Sequence, residues 1–554
     1  MATIDTALPA PATRTGPQLD SHLHPAGRWV FMALLAGGLL YAGVSILADT
    51  QQVGEQLATG VFLFLGLALV IALGFEFVNG FHDTANAVAT VIYTHAMPAP
   101  LAVVWSGFFN FLGVMLSSGA VAYAVVTLLP VDLVLHVGSA AGYAMIFALL
   151  LAAVGWNLAT WYAGLPNSSS HALIGSILGV GMANQFLSDL PGGTSGVDWG
   201  QARKVLAALL VSPLLGFVAA FVLLLVMKRI APDPALYREP AADRPPPRGI
   251  RALLIATCTA VSFAHGGNDG QKGMGLIMLI LIGCAPTAYA LNRTVPETAT
   301  PAFVRVSAEA ERAFQRQAGA RAGAQAGTPA MTPGTARTAL TETLRARHVQ
   351  PPRTYAALAT LTGDVADRIA AYGSLGKVPA AATPNLRGDM YLVLDAATLV
   401  RKDDKARAAM TAAELDAVGA YADRLQEGTR YIPLWVKIAV ALALGLGTMV
   451  GWRRIVVTVG ERIGKTHLTY GMGASAELVA ASTILLAERF GMPVSTTHIL
   501  SSGVAGASVA NGAGLQRRTV RNMALAWVMT LPAAMLLSGL LYWAMLTVIH
   551  AFGS

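Results

Sequence analysis

The chain has 554 residues, of which 55% are hydrophobic and 12% are charged, and its formal net charge is +8. An average soluble domain carries about 25% charged residues, so this composition excludes an ordinary soluble globular enzyme. Of the 68 charged residues, 32 lie in the range 291–430. Because an ionised side chain is unfavourable in hydrocarbon, this distribution predicts a polytopic membrane protein with one water-exposed insertion.

The basic residues flank apolar runs, which argues against a nucleic-acid partner. Those between Lys228 and Arg251 crowd one short segment, and the positive-inside rule predicts a cytoplasmic loop there. Cys258 and Cys284 lie in apolar stretches and give neither a disulfide framework nor metal-ligand spacing.

Residues 1–28 are rich in Pro, Thr and Ala, and we interpret them as a disordered tail. The apolar run that follows starts late and lacks a preceding cluster of positive charge, so we expect a retained helix and not a signal peptide. Each spanning candidate approaches the ~20 residues that a bilayer needs. The candidates cover about 29–47, 61–79, 101–127, 141–163, 203–228, 252–264, 274–290, 432–451, 470–489 and 522–549.

Several apolar runs are short or interrupted by polar residues, which is typical of the binding site of a transporter when it occurs in both halves of a chain. In the insertion, helix-like stretches lie around 355–373 and 411–428, and we find no motif there with recognisable chemistry. The predicted boundaries are 1–28 for the tail, 29–228 for the first membrane half, 229–251 for a cytoplasmic Pro/Arg-rich linker, 252–290 for the start of the second half, 291–430 for a soluble periplasmic insertion and 431–554 for the remainder of the second half.

A hydroxyl-rich motif occurs once in each half. Gly164-Leu-Pro-Asn-Ser-Ser-Ser-His171 matches Gly491-Met-Pro-Val-Ser-Thr-Thr-His498. Gly and Pro end a helix, and the hydroxyls and free N–H groups of the next helix N-terminus attract anions. One copy is also typical of ordinary helix capping or small-residue packing, but two matched copies favour an oxyanion site shared by two hairpins.

A weaker repeat places an aspartate in an apolar run of each half. Gly80-Phe-His-Asp83 matches Gly266-Gly-Asn-Asp269. The two copies of this motif are closer in sequence than the two hydroxyl-rich motifs are, and the difference is the size of the insertion. Intramembrane carboxylates usually mark ion or proton pathways. A structural pair of Asp269 with Lys272 is the alternative, but recurrence of the aspartate in both halves favours a functional role.

Other polar residues join these motifs. Asn86 lies three residues after Asp83 and would share its helix face, and Glu76 precedes it in the same apolar run. His171 and His498 either carry protons or orient the hydroxyl loops, and the sequence leaves both roles open. A serine hydrolase is disfavoured because each histidine directly follows the hydroxyls, whereas a triad needs a base from elsewhere. We therefore expect no enzyme.

At these motifs the sequence resembles the inorganic phosphate transporter (PiT) family, most closely its bacterial low-affinity members. The resemblance rests on Gly80-Phe-His-Asp-Thr-Ala-Asn-Ala-Val-Ala-Thr90, on Phe263-Ala-His-Gly-Gly-Asn-Asp-Gly-Gln-Lys-Gly273 and on the two hydroxyl-rich hairpins. It implies an all-α polytopic membrane protein with two inverted-topology repeats, re-entrant helical hairpins, broken Asp-bearing helices and about ten spanning segments.

Together with the motifs, the resemblance implies roles for individual residues. Phosphate would be bound by Ser168, Ser169, Ser170, Ser495, Thr496, Thr497, Asn268 and Gln271. Ion, proton or metal coupling would involve Asp83, Asn86, Asp269, Lys272, His82, His171, His498 and Glu76, with Asp83 and Asp269 as the metal ligands.

Two residues depart from the family repeat Gly-Ala-Asn-Asp-Val-Ala-Asn-Ala. His82 replaces the first Asn in the first half, and Lys272 replaces the second Asn in the second half. A fixed ammonium where sodium would need an oxygen disfavours sodium. The resemblance to bacterial members implies proton coupling instead, and phosphate carried as a neutral complex with a divalent metal such as magnesium, which reduces the desolvation cost of the dianion.

We therefore predict a secondary active symporter of the bacterial cytoplasmic (inner) membrane that imports inorganic phosphate with protons by alternating access, without a tightly bound cofactor. A sulfate transporter of the same fold, a sodium-coupled phosphate transporter and a passive anion channel are the alternatives. Paired carboxylates favour phosphate over sulfate, because hydrogen phosphate carries a proton that needs an acceptor. A homodimer is compatible with the sequence, but no pattern requires one.

Overall fold

The computed structural model describes residues 25–126, 138–187, 199–240, 245–322 and 331–552, together with Leu19, Leu128 and Val197. Most of the predicted disordered tail therefore lies outside the described residues. Within the described ranges the chain is helical, and its one isolated β-bridge joins Gly464 to Leu515.

The first half contains seven described helices: α1 (Pro25–Gln52), α2 (Thr59–Tyr93), α3 (Ala99–Leu116), α4 (Ala120–Val126), α5 (Ala140–Tyr162), α6 (Ser169–Leu187) and α7 (Trp199–Ile230). The chain continues with α8 (Arg248–Cys284) and α9 (Pro286–Tyr289). The insertion contributes α10 (Thr300–Ala322), α11 (Pro333–Ala346), α12 (Arg353–Tyr372), α13 (Thr383–Lys402), α14 (Asp404–Ala408) and α15 (Ala412–Thr429). The remainder forms α16 (Leu434–Gly447), α17 (Arg453–Val457), a π-helical turn (Thr458–Arg462), α18 (Tyr470–Arg489), α19 (Thr496–Ala510) and α20 (Arg517–Phe552). Short 3₁₀ turns lie at Pro234–Leu236, Glu297–Ala299, Leu375–Lys377 and Ala380–Ala382.

Eight of the described helices are long and apolar enough to cross a membrane, namely α1, α2, α3, α5, α7, α8, α18 and α20. The count is nine if α15 and α16, which meet at 72°, form one further span. The described residues thus give eight or nine spans where about ten were predicted, because the run 252–264 and most of 274–290, up to Cys284, belong to one continuous helix, α8. The all-α polytopic architecture is confirmed.

The glycine-rich segment of α8 stays helical, and its glycines let neighbouring backbones approach closely. An added Cβ on Gly266 would lie 2.1 Å from the Asn110 carbonyl oxygen, and one on Gly113 would lie 2.1 Å from that of Phe263. These glycines therefore mark a tight crossing of α3 and α8 and not a helix break. The prediction of broken Asp-bearing helices is wrong, since Asp83 and Asp269 lie inside continuous helices.

Breaks do occur at the two hydroxyl motifs. Gly164 and Gly491 have φ angles of 67° and 62°, a backbone conformation that glycine adopts at little cost. After each glycine a short extended stretch leads to a new helix, α6 or α19. The helix-breaking role predicted for the Gly-Pro motif is confirmed in both halves.

A serine caps each new helix. The Ser168 hydroxyl accepts from His171 N at 3.2 Å, and the Ser495 hydroxyl accepts from His498 N at 3.1 Å. Each cap satisfies one of the free N–H groups of the first turn. The matched caps explain why both copies of the motif place a hydroxyl three residues before a histidine.

The two hairpins enter the helical bundle from opposite ends. The Gly164 carbonyl accepts from Thr458, which directly follows α17, whereas Gly491 lies against Ala120 on the side of the insertion. In addition, α6 packs along α20 and α19 packs along α7, so each hairpin helix contacts the last helix of the other half. This crossed packing supports two related repeats, and their inverted orientation stays a prediction.

The insertion has a hydrophobic core of its own, in which Phe314, Tyr355 and Tyr421 are fully buried. Asp389 accepts from Arg337 Nε at 2.5 Å and also from Arg368. The two predicted helical stretches are confirmed as α12 and α15. The predicted domain boundaries and the periplasmic side of the insertion stay predictions.

Candidate functional site

Two aspartates meet in the interior, where α2 and α8 pack together. Asp83 and Asp269 are both buried, and the Ser169 hydroxyl lies 3.1 Å from Asp83 Oδ2 and 3.4 Å from Asp269 Oδ2. Because a hydroxyl carries one hydrogen, Ser169 donates to one carboxylate at a time. The first hairpin therefore bridges the aspartates of both halves.

The second hairpin contacts the same carboxylate. Thr497 Oγ1 donates to Asp83 Oδ1 at 2.5 Å. The first turns of α6 and α19 thus both contact Asp83, and a helix N-terminus carries a partial positive charge. The structure brings together hydroxyls from both predicted hairpins at one buried carboxylate.

Two histidines flank the aspartates. His82 Nδ1 lies 3.3 Å from Asp83 Oδ1. His265 Nε2 lies 3.8 Å from Asp83 Oδ2 and 3.7 Å from Asp269 Oδ2, while its Nδ1 lies 2.7 Å from Asn110 Oδ1. Since an amide oxygen only accepts, His265 Nδ1 carries the hydrogen of that bond.

His265 is missing from the predicted site, although it stands in the quoted motif. Its spacing of four from Asp269 places both on one helix face, and this signal could have identified it. One ligand atom each from Asp83, His265 and Asp269 lies within 4.8 Å of the other two. All three are buried, so this cluster is able to hold a metal ion.

Lys272 adds a fixed positive charge. Its Nζ lies 2.7 Å from Asp269 Oδ1 and donates to Ser170 Oγ at 2.5 Å, and the Ser170 hydroxyl donates to the Val494 carbonyl at 2.8 Å. Lys272 is fully buried. The ammonium thus neutralises one carboxylate and ties α8 to both hairpins.

Asn268 and Gln271 lie beside the turn of the second hairpin. Asn268 Nδ2 donates to the Met492 carbonyl at 3.2 Å, and Gln271 Nε2 donates to Glu488 Oε1 at 3.1 Å. Gln271 Oε1 accepts from Val121 N at 2.9 Å. Both amides therefore brace the second hairpin. These three contacts are made to Met492, Glu488 and Val121 and not to Ser169 or Thr497, whose hydroxyls bond Asp83.

The histidines that follow the hydroxyls form a stack. The rings of His171 and His498 are 4.6 Å apart, and His498 stacks on Trp527 at 4.2 Å. His171 Nδ1 lies 2.8 Å from Ser168 Oγ. These contacts orient the two hydroxyl loops relative to each other.

The remaining predicted residues are more peripheral. Ser495 caps α19, and the buried Thr496 hydroxyl has no hydrogen-bond partner among the described residues. Glu76 is buried against Gly273 and accepts from Asn79 at 3.4 Å. Asn86 lies in α2, but its side chain is outside the described structure.

A second buried carboxylate, Glu477 in α18, is also missing from the predicted site. Its Oε2 accepts from Thr257 at 2.5 Å and its Oε1 accepts from Thr90. A glutamate in the middle of the apolar run 470–489, away from its charged end, is the signal that could have identified it. Its two hydroxyl partners come from α2 and α8, which the sequence alone does not connect to α18.

Comparison with known proteins identifies close relatives. A family model described as the phosphate transporter family matches residues 79–538. The low-affinity inorganic phosphate transporter PitA of Escherichia coli K12 is 44% identical over 509 residues, covering 88% of this chain and 98% of PitA. PitB of the same strain is 41% identical over 511 residues, covering 90% and 99%. The probable low-affinity inorganic phosphate transporter of Bacillus subtilis 168 is 27% identical, covering 87% and 97%.

One solved structure, a sodium-dependent phosphate transporter, aligns with a TM-score of 0.46 at 20% identity, covering 88% of this chain and 100% of that chain. The curated relatives are named as transporters, and with the eight apolar helices they agree with a multi-pass protein of the bacterial cytoplasmic membrane. The family match over residues 79–538 and the 44% identity to PitA show that the chain belongs to the phosphate transporter family.

Proposed function

We propose that the chain is a secondary active symporter that imports inorganic phosphate together with protons by alternating access. Phosphate crosses as a neutral complex with a divalent metal such as magnesium. The observation that carries this proposal is the buried cluster of Asp83, His265 and Asp269, on which hydroxyls of both hairpins converge. The identities to PitA and PitB, both named as inorganic phosphate transporters, support the substrate.

The cluster offers the donor set for a divalent metal carried as cargo. His265 Nδ1 donates to Asn110, so Nε2 of the neutral ring is an acceptor that faces both carboxylates. A metal-binding imidazole commonly has its other nitrogen held in this way. Two carboxylates with phosphate oxygens suit magnesium, and the imidazole extends the set to manganese, cobalt or zinc.

The hydroxyls suit the phosphate part of the complex. Ser169 and Thr497 donate to Asp83, and the same hydrogens would turn to phosphate oxygens once a metal binds the carboxylate. The N-terminal turns of α6 and α19 also direct their partial positive charge at the anion. A metal-paired dianion is also easier to desolvate than the bare ion.

Lys272 supports protons over sodium as the coupling ion. Its ammonium contacts Asp269 Oδ1 at 2.7 Å and stands where the family repeat has an Asn, so a fixed positive charge replaces the amide oxygen that a sodium ion would use as a ligand. His82 Nδ1 lies 3.3 Å from Asp83 Oδ1, so a residue type able to take up and release a proton adjoins the metal-binding carboxylate. We assign the handling of the proton that accompanies phosphate to His82.

The hairpins support alternating access. They reach Asp83 from opposite ends of the bundle, so withdrawal of one hairpin at a time would open the cluster to one side only. Such motion is common in transporters built from repeats. A passive channel would need neither the ion pair nor the paired carboxylates.

The test is uptake of radiolabelled phosphate into proteoliposomes under an imposed pH gradient, with and without magnesium, sodium and excess sulfate. Proton-driven uptake that magnesium stimulates and sulfate leaves unchanged is expected. Asp83→Asn should abolish uptake, whereas Asp404→Asn, the same change at an exposed position of the insertion, should not.

The other outcomes are informative. A requirement for sodium would contradict the role of Lys272, and competition by sulfate would move the substrate to another tetrahedral oxyanion. Uptake that persists without any gradient and never accumulates phosphate would indicate a channel. Phosphate uptake without any metal would contradict the neutral complex.

A further inference from the structure

A cavity of about 1250 Å³ lies where the insertion meets the membrane half. We propose that this cavity, which we call the vestibule, is a second phosphate site that collects free hydrogen phosphate before it reaches the aspartate cluster. The inference rests on the proposed function only for the identity of the anion.

Basic side chains line the vestibule from both sides. Arg203, Lys204 and Arg489 come from the membrane half. Arg345, Arg347, Lys402 and Arg430 come from the insertion. Among the described residues of the lining, seven basic ones thus face two acidic ones, Asp395 and Glu427. A concave surface with one sign of charge focuses its field and raises the local concentration of the opposite ion.

Some of these charges have fixed positions and others are exposed to the cavity. Arg347 is 3.6 Å from Asp395, and Arg430 donates to Gln426 and lies over the Tyr123 ring. Arg203 and Lys204, at the start of α7, are exposed. A helix N-terminus disfavours positive side chains, so their place at this end of α7 adds nothing to helix stability and fits a role in anion attraction.

The vestibule adjoins the second hairpin. Its wall includes Phe490 and Gly491, the turn that leads to the hydroxyls of Ser495–Thr497. On the inner side of that turn, Asn268 donates to the Met492 carbonyl. The hairpin turn therefore lies between the vestibule and α8, and its displacement would open a path to the aspartate cluster.

The sign of the charge separates the two sites chemically. A positive vestibule attracts the free dianion and gains nothing from a neutral metal complex. The aspartate cluster, with two carboxylates and one ammonium, suits the metal. Raising magnesium at constant total phosphate should therefore lower occupancy of the vestibule while it favours transport.

A cysteine placed in the vestibule reports its potential without any transport. Ala346 is exposed and lines the cavity, whereas Ala420 is exposed elsewhere on the insertion, and the native cysteines are buried. In full-length protein in neutral phosphatidylcholine nanodiscs, Ala346→Cys should react with an anionic methanethiosulfonate roughly tenfold faster than with a cationic one at low ionic strength. Ala420→Cys should show no such preference. Inorganic phosphate should slow the anionic reagent only at Ala346→Cys.

A transport measurement tests the same site through function. Arg203→Gln with Lys204→Gln should raise the KM for phosphate by roughly threefold to fivefold at low ionic strength and leave the maximal rate unchanged. The matched control is Arg305→Gln with Lys405→Gln, which removes one Arg and one Lys from exposed positions of the insertion. High salt should erase the difference.

The outcomes separate this inference from the proposed function. Equal reaction with both reagents at Ala346→Cys, or no protection by phosphate, would overturn the vestibule site even if uptake is normal. If anionic lipid in the bilayer slowed the anionic reagent at Ala346→Cys and inorganic phosphate did not, the cavity would be assigned to a lipid headgroup, and the phosphate site would be overturned as well. If the thiol measurements give the expected result in a protein that transports no phosphate, the vestibule remains an anion site and the proposed function is rejected.

Discussion

Lys272 and Asp269 form a buried ion pair: Lys272 Nζ lies 2.7 Å from Asp269 Oδ1, and each side chain is 1% exposed. They stand three residues apart on α8 and so share one face. The same ammonium donates to Ser170, whose hydroxyl is bonded to the second hairpin. One side chain therefore balances charge in the cluster and links the parts that transport must move.

Removing the ammonium alone should be severe. Lys272→Gln leaves Asp269 as an uncompensated buried charge, and breaking such a pair costs about 3–5 kcal/mol. We expect a large loss of thermal stability of the detergent-purified protein and no phosphate uptake in proteoliposomes.

The double variant Lys272→Gln with Asp269→Asn is the control for charge. It removes both ions together, so stability should largely return while uptake stays abolished. Uptake by the double variant would show that the pair has only a structural role, which the sequence left as the alternative.

A second prediction concerns the bridging hydroxyl. Ser169→Ala removes the donor shared by Asp83 and Asp269, and a hydrogen bond to a charged group contributes about 1.5–3 kcal/mol, so uptake should fall roughly tenfold or more. The matched control is Ser176→Ala in the same helix, where the hydroxyl donates only to its own helix at the Ala172 carbonyl. Equal uptake by the two variants would remove Ser169 from the site.

The crossing of α3 and α8 gives a third prediction. Gly266→Ala would push a methyl group to within 2.1 Å of the Asn110 carbonyl oxygen, and overpacking of this kind costs about 1–3 kcal/mol or more where backbone must shift. Gly155→Ala, where no atom lies within 4 Å, should be neutral or slightly stabilising. Thermal unfolding of both proteins in detergent measures the difference.

The sequence predicted the helix breaks at Gly164 and Gly491 because Gly, Pro and hydroxyl caps are local signals. It failed at Gly266 for a physical reason. A glycine in a helix has the same local preference whether it ends the helix or accepts a neighbouring backbone, and only the position of Asn110 on α3 decides between the two.

The site was predictable to a similar extent. The motifs that recur in both halves contain Asp83, Asp269, Ser169 and Thr497, and the structure brings these side chains together. Glu477 has no counterpart in the repeat, and its contact with Thr90 joins residues 387 positions apart. Such pairings depend on how helices pack, which composition and spacing do not contain.

The insertion gives a fourth prediction, on pH. Burial opposes ionisation of Glu414, but hydrogen bonds from Thr411, Arg316 and Gln317 outweigh it and hold the pKa of Glu414 below its usual value. A lowered carboxyl pKa contributes stability above the unfolded value of about 4.3 and loses it as pH falls through the folded value.

Glu414→Ala should therefore destabilise α15 by about 1 kcal/mol at pH 7, because it also removes the capping box with Thr411. The difference from the unchanged protein should shrink as the medium becomes more acidic than pH 4. Hydrogen exchange of α15 amides, corrected for intrinsic rates, measures it. Glu309→Ala, at an exposed position of α10, is the control, and an equal effect there would contradict the assignment.

The role of His171 was left open by the sequence, and the structure favours orientation of the hydroxyl loop. Its Nδ1 contacts Ser168 Oγ at 2.8 Å, and its ring lies 4.6 Å from that of His498. Two imidazolium charges at that separation would repel each other, so the stack is poorly suited to carry a proton on each ring.

His171→Asn separates the two roles. Asparagine places a nitrogen or oxygen where His171 has Nδ1, so it keeps the contact with Ser168, but it does not titrate between pH 5 and 8. We expect His171→Asn to retain most uptake with an unchanged pH profile, and His171→Leu to lose most uptake. His348→Asn, at an exposed position of the insertion, controls for the substitution itself. If His171→Asn instead lost proton-driven uptake while it still exchanged phosphate across the membrane, His171 would be a proton carrier, because only coupling and not binding would have failed.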